Sequence, residues 1–367
     1  MEQSTISKLV GQLFIIGFEG KHPTKEVADF IKNNNIGGIC YFGHNIESPE
    51  QLANLTNEIQ NLTPNIPQFV TIDQEGGIVS RLGPPFCEIP AAAHLEKFSP
   101  KDVFEIAQVM AYEMKAVGIN WDFAPVCDIN TNPTNPIIGK YNRSYSTDIE
   151  TVEKLASATV RGLQKGGVIA CAKHFPGHGD TSSDSHFTLP VIEHSLERLN
   201  EVELKPFKKV IKSGVDSVMT AHVLYTSIDD AYPATLSKTV INDLLRKECR
   251  FNGVLISDDM QMKGITEHYP VDQAVTLAVK AGVDQLLYCM NFDVQQRAFE
   301  ALVKAVMDKD ISLSRVEEAI KRSHQLKKKY IGEKFQPLNP LKAKEVVGCE
   351  KHQSIVNKDI KKKMMAS

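Results

Sequence analysis

No apolar stretch in this chain is long enough to cross a bilayer. The N-terminus, MEQSTISKLVGQLFIIGFEG, has a single lysine and only a short apolar run, so neither a signal peptide nor a membrane span is expected. An excess of one charge is also missing. The 42 Lys and Arg against 45 Asp and Glu leave a net charge of -3, which gives no electrostatic footprint for nucleic acid or an anionic membrane surface. None of the seven cysteines forms a CxxC pair. Cys40, Cys127, Cys171 and Cys289 fall in or beside apolar runs and read as buried thiols, a pattern that points to a reducing compartment and hence the cytoplasm. No GxGxxG follows the first apolar run, which removes the main argument for an open dinucleotide-binding sheet. There is no low-complexity tract.

What the chain does have is a recurrent alternation. Hydrophobic residues at 42% and charged residues at 24% over 367 residues are ordinary for a globular protein with a sizeable core. Candidate strands lie at 13–18, 36–42, 68–73, 119–126, 168–175, 216–223, 253–259 and 283–290, with amphipathic stretches between them. One of these, SPEQLANLTNEIQNL, places Ser48 as an N-cap ahead of Pro49. Near-continuous apolar strands belong to a parallel sheet covered on both faces. Eight of them alternating with helices predict an α/β fold, a single (β/α)8 TIM-type barrel over residues 1–330, followed by a short C-terminal extension. That extension, 331–367, mixes Pro, Gly and Lys with little periodicity and reads as lightly docked, with a frayed basic end.

A barrel should carry its active site at the C-terminal ends of its strands. Asp73, Asp128, Lys173, His174, His222, Asp258 and Asp259 all close or follow apolar runs. The densest patch is CAKHFPGHGDTSSDSH, 171–186, with three histidines, two aspartates and two glycines. A zinc site built from His174, His178, Asp180 and His186 is one reading. Four-spaced histidines share a face only on a helix, however, and PGHG is not helical. Proton transfer is the other. Asp184 and His186 are two apart and would point the same way in an extended segment, where the carboxylate could orient the imidazole. Taken alone, that pair also fits a turn cap beside a surface histidine. In VLISDDM one aspartate is enough to cap the next helix, and a second suggests a carboxylate in use. VTIDQEGGIVSR offers Asp73 and Arg81, and GKYNRSYS offers Arg143.

KHFPGHGDTSSDSH, with DQEGG, NRSYS, MTAHV and ISDDM in this order, resembles the family 3 glycoside hydrolases over about Lys8 to Tyr330. The DTSSDSH ending is similar to that of the bacterial β-N-acetylglucosaminidases of cell-wall recycling. The resemblance implies that Asp258 is a nucleophile, His186 an unusual general acid/base and Asp184 its dyad partner. It implies that Asp73, Arg81, Arg143, Lys173 and His174 bind the non-reducing sugar, with His222 beside the site. No cofactor and no metal are implied. The expected substrate is a small GlcNAc-containing peptidoglycan fragment such as GlcNAc-anhydroMurNAc, with no required protein partner. Rival readings are a phosphorylase or β-glucosidase of the same family, or a zinc-dependent barrel hydrolase. Tyr141 and Asn142 lengthen the junction before Arg143 relative to many members, and the large second domain of longer members has no counterpart here. Gly177 and Gly179 are expected to let the 175–186 loop close over bound sugar.

Overall fold

All eight expected strands form, and each is shorter than its apolar run. They are β1 (Phe14–Ile16), β2 (Gly38–Tyr41), β3 (Phe69–Ile72), β4 (Trp121–Asp122), β5 (Ile169–Phe175), β6 (Ser217–Thr220), β7 (Val254–Ile256) and β8 (Leu286–Tyr288). The computed structural model describes residues 2–132 and 134–364, with side chains to 357. The strands pair in parallel in sequence order, and β8 returns to β1 through Phe14–Leu286, Ile15–Leu287 and Ile16–Tyr288. A bridge between Ile256 and Gln285 joins β7 to β8 and closes the ring. The result is the eight-stranded barrel expected from the alternation. Strand β4 is the most reduced. Pro125 has no N–H to give the ladder, and pairing resumes only at a bridge between Val126 and Lys173.

The side chains alternate as strand geometry requires. Ile15, Cys40, Phe69, Trp121, Ile169, Cys171, Met219 and Leu287 form the interior cluster. Their neighbours Phe14, Ile16, Ile39, Val70, Ala170, Val218, Leu255 and Leu286 belong to the outer cluster shared with the helices. Inside, Trp121 Nε1 donates to Ser217 Oγ (2.9 Å), which donates to the Ala170 carbonyl (2.8 Å), so a polar chain links three strands. The far end is stopped by helix Leu313–Tyr330. Leu326 joins the interior cluster, and Lys327 lies over the Phe69 ring and donates to Gln12 Oε1 (3.0 Å). Burial without a counter-charge lowers that ammonium to about 7. Helix Pro49–Leu62 begins on its expected cap; Ser48 Oγ accepts from Gln51 N at 3.1 Å with Pro49 at the first turn.

The extension after Tyr330 is seated more firmly than its composition predicts. Helices Pro340–Val346 and Glu350–Met364 lie against Pro49–Leu62 and Pro100–Ala116, and Ala343, Val347 and Val356 enter the outer core. The anchor is Glu113, a buried carboxylate that accepts from Gly348 N (2.9 Å), His352 Nδ1 (2.9 Å) and Cys87 N (2.8 Å). Composition carries no trace of such a partner. The expectation of a frayed end falls mostly on side chains and residues outside those described. Replacing Glu113 by Ala should cost about 3 kcal/mol by orphaning these donors, and should open the 331–357 region to protease. Limited proteolysis followed by intact-mass measurement reads this, and an unchanged digestion pattern would contradict it.

Candidate active site

The C-terminal mouth of the barrel holds a pocket of about 240 Å³. Seven expected residues line it: Asp73, Arg81, Arg143, Lys173, His174, His186 and Asp258. They come from the ends of β3, β5 and β7 and from the loops after β3, β4 and β5. The pocket also brings in Glu75, Ile78, Ile137, Tyr141, His178 and Ser185, none of them expected to contact sugar.

Glu75 organises one wall. Its side chain is only 4% exposed, yet it accepts two bonds from Arg143, at 2.9 Å from Nε and 2.8 Å from Nη2, and lies 2.6 Å from Lys173 Nζ. Burial works against its ionisation, but the guanidinium and ammonium outweigh burial and hold its carboxyl far below the usual range. Lys173 also donates to Asp73 Oδ1 (2.7 Å), so the two carboxylates keep the buried ammonium charged. Arg81 lies farther out, 3.8 Å from Asp73 Oδ2 and over the Phe42 ring. The signal for Glu75 stood two residues after Asp73, but its partners are far away in sequence.

A regular strand cannot aim two successive side chains the same way. Lys173 and His174 both face the pocket because β5 loses register against β6 between Ala172 and Phe175. Asp128 fills the irregularity from the loop after β4. Its buried carboxylate accepts from His174 Nδ1 (2.7 Å), His174 N and His178 N (2.7 Å). Burial opposes its charge, but these donors and the two imidazoles win and lower its pKa.

The dyad residues meet, though not by strand alternation. Residues 184–188 form a turn in which Phe187 N and Thr188 N donate to the Asp184 carbonyl. Asp184 Oδ1 accepts from both His186 N and His186 Nδ1, each at 2.8 Å. One carboxylate thus caps the turn and orients the ring. The His186 side chain is 52% exposed and lines the pocket, and Nε2 is the ring nitrogen that Asp184 leaves uncommitted. The loop behind it is stapled. Asn135 Nδ2 donates to the carbonyls of His178, Gly179 and Thr181. A Cβ at Gly179 would stand 1.7 Å from the Ile129 carbonyl, and one at Gly177 would press on Glu203. Both glycines therefore permit close packing, a different use from the hinge expected of them.

The four residues weighed as zinc ligands are each committed to other partners in this arrangement. His174 faces Asp128 and His178 faces Thr181 and Ser185. Asp180 pairs with His194, and His186 pairs with Asp184.

The adjacent aspartates separate in role. Burial would raise Asp258, but the nearby His174, His222 and His186 outweigh it and bring it down to about 2. It also accepts from Asp259 N (2.8 Å). Burial raises Asp259 to about 7, against the donors Gln261 N (3.1 Å) and Cys289 N (3.2 Å). His222 takes a different place from the expected one at the sugar. It is fully buried, its Nδ1 meets Thr235 Oγ1 (2.8 Å), and its Nε2 donates to the Asp259 carbonyl (3.0 Å). With both nitrogens occupied, it holds the backbone beside Asp258 and does not line the pocket.

Fold and site together define a TIM-barrel glycosidase, with an ionised carboxylate and a carboxylate-oriented histidine in one polar pocket. Residues 5–326 match the glycosyl hydrolase family 3 N terminal domain, and the chain belongs to that family. It is 39% identical over 262 residues to a beta-hexosaminidase of Hydrogenovibrio crunogenus, covering 69% of this chain and 72% of that one. It is 36% identical over 280 residues to a beta-hexosaminidase of Neisseria meningitidis serogroup B, with 74% and 76% covered. The structure of a family 3 beta-N-acetylglucosaminidase from a Paenibacillus species superposes with a TM-score of 0.91 at 38% identity, over 96% of this chain and 67% of that one. A beta-N-acetylhexosaminidase from Beutenbergia cavernae gives 0.83 at 28% identity, over 88% and 98%.

Because Asp259 binds its proton more tightly when folded, its contribution to stability is full below the usual aspartate pKa. That contribution is lost as pH rises through about 7. The Asp259→Asn variant keeps an acceptor and removes the titration. Chemical unfolding at pH 5 and pH 8 should show a smaller loss of stability in the variant than in the parent. An equal loss in both would place the Asp259 pKa outside that window.

Proposed function

We propose that this protein is a retaining exo-β-N-acetylhexosaminidase that removes terminal non-reducing GlcNAc by way of a covalent glycosyl-enzyme on Asp258. The observation that carries the reading is the meeting, in one pocket, of a permanently ionised Asp258 and the Asp184-oriented His186. Asp258 attacks the anomeric carbon while His186, protonated at Nε2, gives that proton to the departing glycosidic oxygen. Asp184 accepts from Nδ1 and stabilises the imidazolium that precedes transfer. In the second half, neutral Nε2 takes a proton from water, the water oxygen attacks the anomeric carbon, and Asp258 leaves as carboxylate. Asp73, Lys173, Arg143, His174 and Arg81 supply the charged and polar contacts for sugar hydroxyls. The names of the relatives support the hexosaminide preference. The DTSSDSH resemblance supports a peptidoglycan fragment, GlcNAc-anhydroMurNAc with or without peptide, as the natural substrate. A base that is uncharged when deprotonated suits an acceptor or aglycone that carries negative charge. All seven cysteines are unpaired, in keeping with a reducing compartment, the cytoplasm.

Release of p-nitrophenol from the β-GlcNAc glycoside, beside the β-glucoside and with chelator and phosphate varied, tests the reading. Release from the GlcNAc substrate alone, insensitive to both additions, is the expected result. Acceleration by phosphate with a sugar phosphate as product would make the protein a phosphorylase, and loss with chelator would restore a metal route. The Asp258→Ala variant should lose at least about 10³-fold in kcat. A fluorinated GlcNAc glycoside with a good leaving group should add one sugar mass on the Asp258 peptide, and a label found elsewhere would move the nucleophile.

A further inference from the structure

His178 is the one histidine of the 171–186 loop that the proposed chemistry does not use. It is buried, and both ring nitrogens are engaged: Nδ1 with Thr181 Oγ1 at 2.8 Å and Nε2 with Ser185 Oγ at 2.9 Å. Thr181 Oγ1 is in turn 3.1 Å from the His178 carbonyl and 3.2 Å from Asn135 Nδ2, so the ring is tied at both nitrogens to hydroxyls of its own loop. Burial, helped by the neighbouring His174, lowers the imidazole to about 4, so at neutral pH the uncharged ring has one donor and one acceptor for the two hydroxyls.

Ser185 stands between Asp184 and His186. Its carbonyl is held from the opposite side by Gly264 N (3.0 Å), on the segment that follows Asp258 and Asp259. A Cβ at Gly264 would come 2.9 Å from that same oxygen, so this contact requires glycine. The residue at the centre of the dyad turn is thus gripped by its side chain from the loop and by its backbone from the nucleophile segment. We propose that His178 is a positioning residue, whose imidazole holds the Ser185 hydroxyl and thereby fixes the turn that aims His186 Nε2 at the leaving-group oxygen.

The inference rests on His186 being the proton donor, and a leaving-group comparison tests the two separately. A dinitrophenyl β-GlcNAc glycoside departs without protonation, whereas a methyl or disaccharide aglycone needs it, and kcat/KM reports only steps up to departure. His178→Leu should lower kcat/KM about 10- to 100-fold on the unactivated glycoside and less than about 3-fold on the dinitrophenyl one. Ser185→Ala, a smaller change to the fold, should show the same split, and the double variant should be little worse than either single one. His186→Ala is the reference. If it shows a large split and the other two lose equally on both substrates, or lose nothing, the positioning role of His178 is overturned. If His186→Ala itself shows no split, it is the assignment of the proton donor that fails.

Discussion

The Asp128 carboxylate is the contact on which the site depends. It is fully buried, follows the weakest strand of the barrel, and spends its acceptor capacity on three donors, two from His174 at the end of β5 and one from His178 in the loop after it. An unpaired carboxylate in that position would be costly, and a carboxylate with one donor removed nearly so. The loop therefore cannot leave Asp128 without a large loss, and Asp128 cannot lose its charge while the loop is in place. Through His174 it sets one face of the sugar pocket, and through His178 N it sets where the chain turns toward the dyad. The irregularity in β5 that lets Lys173 and His174 face the same side is tolerable because Asp128 receives the donors that the broken ladder would leave exposed.

Electrostatic partition is the second constraint. The pocket holds Asp73, Glu75 and Asp258 against Arg81, Arg143 and Lys173, yet the charges are unequally free. Glu75 is consumed by Arg143 and Lys173, which leaves their remaining donors and Asp73 to meet hydroxyls. Asp258 is stabilised by imidazoles and by one backbone donor, so its charge is retained without a salt bridge that a nucleophile would have to break. Asp259, one residue on, is pushed the other way by burial. Two carboxyls with the same intrinsic acidity are thus pulled apart by their surroundings, one ionised throughout and one titrating near neutrality.

What could be read from the chain follows the range of the interactions concerned. The strands, the barrel and the clustering of polar residues at strand ends follow from local alternation, and the structure has them where the runs predict. The residue pair Asp184 and His186 was also legible, while its geometry was not: an extended segment and a turn both bring them together, and only the turn explains the bonds to Phe187 and Thr188. Glu75 acts on Arg143 and Lys173, 68 and 98 positions away, and Asp128 on His174 and His178, 46 and 50 away, and no local pattern announces such bonds. His222 lies at a strand end like its neighbours, yet its ring turns to Thr235 and a carbonyl, a choice made by packing across β6 and β7. Glu113 is hidden for the same reason, since the two partners that tie it to the extension lie 235 and 239 residues on.

The three histidines of the loop show how one side-chain type serves three ends within sixteen residues. Each commits Nδ1 to an oxygen supplied by the fold: Asp128 for His174, Thr181 for His178, Asp184 for His186. That commitment sets the ring plane and leaves Nε2 as the working atom. Nε2 of His174 lies 3.3 Å from Arg143 on the sugar wall, Nε2 of His178 meets Ser185 inside the loop, and Nε2 of His186 is left uncommitted on a ring that lines the pocket. Depth then decides what each working atom can do. A ring whose two nitrogens both meet hydroxyls of its own loop positions that loop, a ring on the sugar wall beside Arg143 can bind, and a ring half in solvent can exchange protons with it. An imidazole at position 186 keeps the two duties on different atoms, Nδ1 anchored to Asp184 and Nε2 left to exchange the proton, and its proton-free form carries no charge into a pocket that already holds Asp73, Glu75 and Asp258.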